Sequence, residues 1–171
     1  MAPFVVGCIA QIPIGVLNKF LVEALDLYNE LALGNEDGLV IVEADDNYEG
    51  AYKWSDQASV PPLDESFRPH ITTSIEDAAG RYPGGPYRAV LNQQSLADES
   101  AVLVAREPGG EVTDTARVTF ELTLVVLVAL EVGTIGLSEI RRIGESQGGV
   151  YGRPTQEPKK GEPAPLKRLG G

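Results

Sequence analysis

Apolar positions in this chain repeat with two different periods, and the changes of period divide it into elements. Residues 4–9 (Phe-Val-Val-Gly-Cys-Ile) are an apolar run between Pro3 and Pro13 and read as a short strand or an extended lead-in. Over 14–33 the spacing becomes helical: Ile14, Leu17, Leu21, Leu25, Tyr28 and Ala32 recur at three- and four-residue steps, with Lys19, Glu23, Asp26 and Glu30 on a narrow opposite stripe. Pro13 stands at the helix start, where its missing N–H is not needed, and Gly34-Asn35 form a stop. Val16, Phe20 and Leu27 widen the apolar face. A helix wet along one edge only is packed on several sides, by its own domain or by a neighbouring subunit.

Residues 39–43 (Leu-Val-Ile-Val-Glu) read as a strand. Residues 45–88 lose periodicity and hold Pro61, Pro62, Pro69, Pro83 and Pro86; within them, 74–79 fit one helical turn and 81–87 a tight turn flanked by tyrosines. Residues 100–106 form a further strand, and 107–111 (Glu-Pro-Gly-Gly-Glu) have the composition of a hairpin connection. Its partner is predicted over 116–132. There Val118, Phe120, Leu122, Leu124, Val126, Val128, Leu130 and Val132 alternate onto one face; the other begins polar (Thr119, Glu121, Thr123) and turns apolar at Val125, Leu127 and Ala129. The density of β-branched residues favours this strand over a helix from 122 onward. It far exceeds the usual length of about 5–6 residues, so it must bend at Gly133 and Gly136, bulge, or run beyond its own domain. Residues 138–144 read as a short helix capped by Ser138, with Arg141 and Arg142 near its C-terminal end. The pattern predicts an α+β fold: a mostly antiparallel sheet with one long strand, packed by an N-terminal amphipathic helix. One domain spans 1–150 and a Pro/Gly/Lys-rich extended tail 151–171.

Charge adds a polarity that periodicity does not show. The chain carries a net −11, yet residues 1–151 hold 9 Lys/Arg against 23 Asp/Glu, while 152–171 hold 5 against 2. An acidic body argues against nucleic acid as its partner and against anionic membranes, both of which call for clustered Lys/Arg. The apolar stretch 122–132 contains Glu131 and is about half the length a membrane helix needs, so no membrane span is predicted. Cys8 is the only cysteine, which rules out an intrachain disulfide and suits a buried apolar role. The expected location is cytoplasmic, or the virion if the chain is phage-encoded.

Candidate chemistry is sparse. His70 is the only histidine, with no G-x-S-x-G elbow to supply a nucleophile, so it reads as a loop histidine. The cluster Glu43-Ala44-Asp45-Asp46-Asn47-Tyr48-Glu49 offers oxygen ligands but not at EF-hand spacing, and turn chemistry accounts for it. No dinucleotide or phosphate-loop glycine motif occurs, and no catalytic residue, metal or cofactor is assigned. Tyr48, Tyr52, Trp54, Phe67, Tyr82 and Tyr87 crowd the irregular middle, where aromatic side chains serve interfaces or a satellite core.

Two functional expectations follow. An overlong strand, a helix buried on many sides and a basic tail beside an acidic body suit a non-enzymatic subunit of a homo-oligomeric ring or tube. Tailed-phage tail-tube, tail-terminator and connector subunits have such traits. The interface would use Leu124, Val126, Val128, Leu130, Tyr82, Tyr87 and Trp54, with Lys159, Lys160, Lys167 and Arg168 as tail contacts to other copies or other assembly proteins. Separately, the end Leu166-Lys167-Arg168-Leu169-Gly170-Gly171 is similar to the C-termini of ubiquitin-like modifiers. That resemblance implies a β-grasp body opening with a hairpin, and conjugation through Gly171.

Overall fold

The computed structural model describes residues 2–31 and 37–152. The chain opens with strand β1 (Phe4–Cys8), crosses through helix α1 (Ile14–Glu30) and returns as β2 (Leu39–Ile41). A small hairpin of β3 (Glu43–Ala44) and β4 (Tyr52–Lys53) follows, then α2 (Ile75–Arg81), β5 (Tyr87–Leu91), α3 (Gln93–Asp98), β6 (Ser100–Arg106), β7 (Val112–Thr119), α4 (Thr123–Val132) and α5 (Leu137–Glu145). Five strands form one sheet in the order β2-β1-β5-β6-β7. β1 runs parallel to β2 and to β5, whereas β6 is antiparallel to both its neighbours. The sheet is therefore mixed rather than mostly antiparallel, and a strand precedes the first helix. A parallel pair cannot be closed by a tight turn, and α1 supplies the crossover that β1 and β2 require.

The sheet is covered on both faces, so all five residues of β1 are buried. On one face Phe4, Val6, Cys8, Ala89, Leu91 and Leu103 pack under α1, α4 and α5. Phe20 of α1 meets Phe120 edge-to-face at 5.1 Å between ring centres. On the other face Val5, Val40, Val90, Val102 and Val104 lie under Ala78, Ala79 and Tyr82 of α2 and its end. Gly7 permits the close approach of α2: a Cβ there would sit 3.2 Å from both Ala78 Cβ and a ring carbon of Tyr82. Ser74 caps α2 by accepting from the Asp77 amide at 3.0 Å.

The long strand predicted over 116–132 is not formed. β7 stops at Thr119, the chain turns through residues 120–122, and α4 begins. The buried set Thr123, Leu124, Val126, Leu127 and Leu130 has helical spacing, but because nearly every position in the run is apolar, period 2 and period 3.6 fit equally and the pattern carried no information. β-branched density lost to burial: a helix apolar all round is stable when wrapped by its own domain. Gly133 is the left-handed C-cap of this helix (φ 82°), not a strand bend. The last helix starts one residue early, with Gly136 at its N-cap, so Ser138 lies inside it. β5 and α3 lie in stretches given no element by the sequence pattern. The turn at 107–111 closes as expected, with the Glu107 and Gly110 amides donating to the carbonyls of Glu111 (2.8 Å) and Glu107 (2.7 Å).

Both sheet edges are occupied. On β2 the Ser59 amide donates to the Leu39 carbonyl (2.7 Å), and the Ile41 amide donates to Ser59 Oγ (2.9 Å). On β7, Tyr151 bridges to Val118, exchanging bonds with Arg117 and Thr119, and Arg141 of α5 reaches Asp114 and the Thr115 carbonyl. Tyr151 thus belongs to the body rather than to a tail.

Candidate functional site

The residues expected to form an interface separate into three places. Leu124, Val126 and Leu130 are in the core of their own chain, at most 4% exposed, and Val128 packs partly against that core. A surface role for this set is corrected by the helix that replaces the strand: the residues that alternation would put on one sheet face are mostly turned inward by α4. Helix α1 likewise finds its several packing partners inside the chain, exposing a single stripe that includes Lys19, Val22, Asp26 and Glu30.

Tyr82 is also interior, in a small polar core. His70, 5% exposed, is bonded at both ring nitrogens. Its Nε2 lies 2.9 Å from the Gly50 carbonyl, which can only accept, so Nε2 carries the proton. Nδ1 is then the acceptor for the Tyr82 hydroxyl at 2.6 Å. Tyr52 packs against both rings, tilted to His70 at 5.3 Å and edge-to-face with Tyr82 at 4.9 Å between ring centres. Burial pushes the Tyr82 hydroxyl well above its ordinary range, and the nearby Cys8 adds to this. Burial alone pushes the Cys8 thiol up to about 12. His70 is a loop histidine that is hydrogen-bonded and buried rather than exposed, and its two bonds hold the β4 region onto α2.

Next to this core, Arg88 is 1% exposed and meets no carboxylate among the described residues. It donates instead to the carbonyls of Tyr82 (2.9 Å), Pro83 (3.3 Å), Ala78 (3.4 Å) and Gly85 (3.4 Å). Arg106 adds bonds to the carbonyls of Ala79 (2.9 Å), Gly84 (2.6 Å) and Gly85 (3.2 Å). The two guanidinium groups complete the orphan carbonyls at the C-terminal end of α2 and stiffen the turn after it. Burial, and then the like charge of Arg106, push Arg88 down to about 10, which still leaves it ionised at neutral pH.

Trp54 and Tyr87 lie beside each other at the surface. They line one groove of about 160 Å³ with Pro3, Phe4 and the Gly84-Gly85 turn, and with Asp56 and Glu131 on its rim. Trp54 is 44% exposed. Neither rim carboxylate is paired to a cation among the described residues. Of these residues the sequence pattern singled out the two aromatics and the glycine turn. Asp56 and Glu131 are 75 positions apart, and nothing local marked them as neighbours.

A larger cleft, about 510 Å³, opens between α1, the α3–β6 junction and the β7–α4 turn. Among the described residues its charged lining is acidic: Glu23, Asp26, Glu30, Asp98, Glu99 and Glu121. Lys19 bridges Glu23 and Glu99, and Asp98 accepts from Gln94 (2.8 Å) and Ser100. Asp26, Glu30 and Glu121 pair with no cation among the described residues. Gly152, the last described residue, is part of the lining.

The acidic cluster after β2 is a turn. Asp45 Oδ1 accepts from the Asn47 amide at 2.9 Å, and Asp46 pairs with Arg68. Among the described residues no three His, Cys, Asp or Glu side chains converge as metal ligands would, and no helix is long and apolar enough to cross a membrane. Lys159, Lys160, Lys167, Arg168 and Gly171 lie outside the described residues. The body they would extend from opens strand–helix–strand with β1 and β2 parallel, unlike the opening hairpin implied by the modifier resemblance. Compared with known proteins, the chain matches no family model, no curated protein and no solved structure.

Proposed function

We propose that this protein is a non-enzymatic assembly subunit that joins copies of itself into a homo-oligomer by charge. The observation that carries the reading is an uneven distribution of cations. Eight of the nine Lys/Arg in the body are already engaged, by carboxylates or by backbone and hydroxyl oxygens. Carboxylates remain in excess, six of them lining one cleft, while residues 153–171 carry five Lys/Arg against two Glu. Opposite fields on two parts of one chain favour head-to-tail contact between copies, with fast, salt-sensitive association. The overlong strand no longer supports this reading, and both sheet edges are covered, so assembly through side-chain surfaces fits better than sheet extension.

The finer form of the proposal is a ring or tube subunit of a tailed-phage virion, such as a tail-tube, tail-terminator or connector protein. It rests on chain size and charge layout. Size-exclusion chromatography with light scattering tests the reading. The expected result is a discrete multiple of 18.3 kDa at low salt, moving toward the monomer in about 1 M salt, where the screening length falls to about 3 Å. A monomer at every concentration and salt overturns it, and a multiple that electron microscopy shows to be neither ring nor tube overturns the finer form.

A further inference from the structure

We infer that the Trp54–Tyr87 groove receives the proline-and-basic segment 163–168 (Pro-Ala-Pro-Leu-Lys-Arg) of a second copy. The inference rests on the assembly reading above and names the contact through which it works. Three observations point to that occupant. The groove is apolar and aromatic, walled by Trp54, Tyr87, Pro3 and Phe4, and at about 160 Å³ it admits a ring or a side chain rather than a cofactor. Aromatic grooves of this kind suit proline, whose fixed φ lowers the entropy lost on docking. The rim is acidic and unpaired: Asp56 on one part, Glu131 on the last turn of α4, where the carbonyl end of the helix adds to the negative potential. Arg88 and Arg106 donate to backbone carbonyls, including those of Gly84 and Gly85, and fix the turn that floors the groove, while Asp56 and Glu131 are exposed. Within this chain, 163–168 is a segment that places prolines and an apolar side chain directly before two cations, the order that an apolar groove with an acidic rim selects.

Trp54 is the only tryptophan, so its emission reports the groove without labelling. The experiment uses full-length protein and follows emission and oligomeric mass together from nanomolar to tens of micromolar. In the native chain both are expected to change over the same concentration range. The variant Pro163→Ala/Pro165→Ala/Lys167→Glu/Arg168→Glu, altered only beyond the described body, is expected to keep its dilute-state emission and to weaken self-association at least tenfold. The rim variant Asp56→Lys/Glu131→Lys is expected to show the same loss. Mixing the rim variant with a Lys167→Glu/Arg168→Glu variant is expected to restore association, because each supplies the complement of the other. Emission that responds to segment 163–168 but not to concentration means that the chain's own segment occupies the groove, and overturns the second-copy inference. Oligomers that form while emission ignores both variants overturn this inference and leave the assembly reading standing; absence of oligomers in the native chain overturns the reading itself.

Discussion

On the face of the sheet under α1 and α4 the contacts are almost wholly hydrocarbon: Phe20 against Phe120, with Leu17, Leu21, Leu103, Leu124 and Leu127 fully buried around them. On the opposite face the same strands meet Arg88, His70, Thr72 and Tyr82, all buried and held by directed bonds to carbonyls or to one another. The first face is stabilised in proportion to the area it removes from water, and it tolerates swaps that conserve volume. The second depends on geometry. Each polar group there is worth about 1 kcal/mol while bonded, and leaving its partner orphaned costs about 1–3 kcal/mol. One chain therefore uses non-directional burial to fix its architecture and hydrogen bonding to fix the hairpin, α2 and the turn that floors the Trp54 groove.

Three substitutions would break or sharpen this contrast. Phe120→Ala is expected to have the largest effect, a loss of about 3–5 kcal/mol in urea unfolding, because it removes a fully buried ring and opens a cavity against Phe20. Arg88→Met comes next, at about 2–3 kcal/mol, although methionine fills similar space. Carbonyls at the end of α2 would lose their donor, so the loss should be accompanied by faster amide exchange around 78–85. A neutral Arg88→Met variant would mean that the second face is held by packing after all.

The smallest is Tyr82→Phe, about 1–2 kcal/mol at neutral pH, since it removes one hydroxyl and leaves His70 Nδ1 without its donor. This variant also has a pH signature. Tyr82 and Cys8 are acids whose ionisation is held back in the fold, so their contribution is complete below the unfolded range and drains away as pH rises. For Cys8 that window runs from 9.0 to about 12. Native stability should therefore fall above pH 9, and Tyr82→Phe should flatten the part of that fall due to the phenol, leaving the Cys8 part in place. An alkaline limb unchanged by Tyr82→Phe would show that the phenol titrates freely.

Legibility in the sequence followed the same division. Helix α1 was readable because its apolar positions repeat against a polar stripe, and β6 with the turn at 107–111 because a short apolar run ends in Pro and Gly; β1 is apolar throughout, which left strand and extended lead-in both open. The 116–132 run was misread for the opposite reason: with both faces apolar, only the tertiary surroundings distinguish a strand from a buried helix. β5, with the short sequence Tyr-Arg-Ala-Val-Leu, was hidden by its arginine, which looks like a surface residue until α2 is present to surround it. At the Trp54 groove the aromatics were visible as a local cluster, but Asp56 and Glu131 become neighbours only through the fold.

Composition and periodicity by themselves determined that the body has an apolar core, an amphipathic helix wrapped on several sides, an acidic exterior and a basic end, because burial and charge are additive properties that a linear string records. Which strands run parallel, which way residues 123–132 coil, and which carboxylates share a cleft were decided by tertiary structure. These depend on what lies opposite each residue in space, and a chain carries that information only once it has closed on itself.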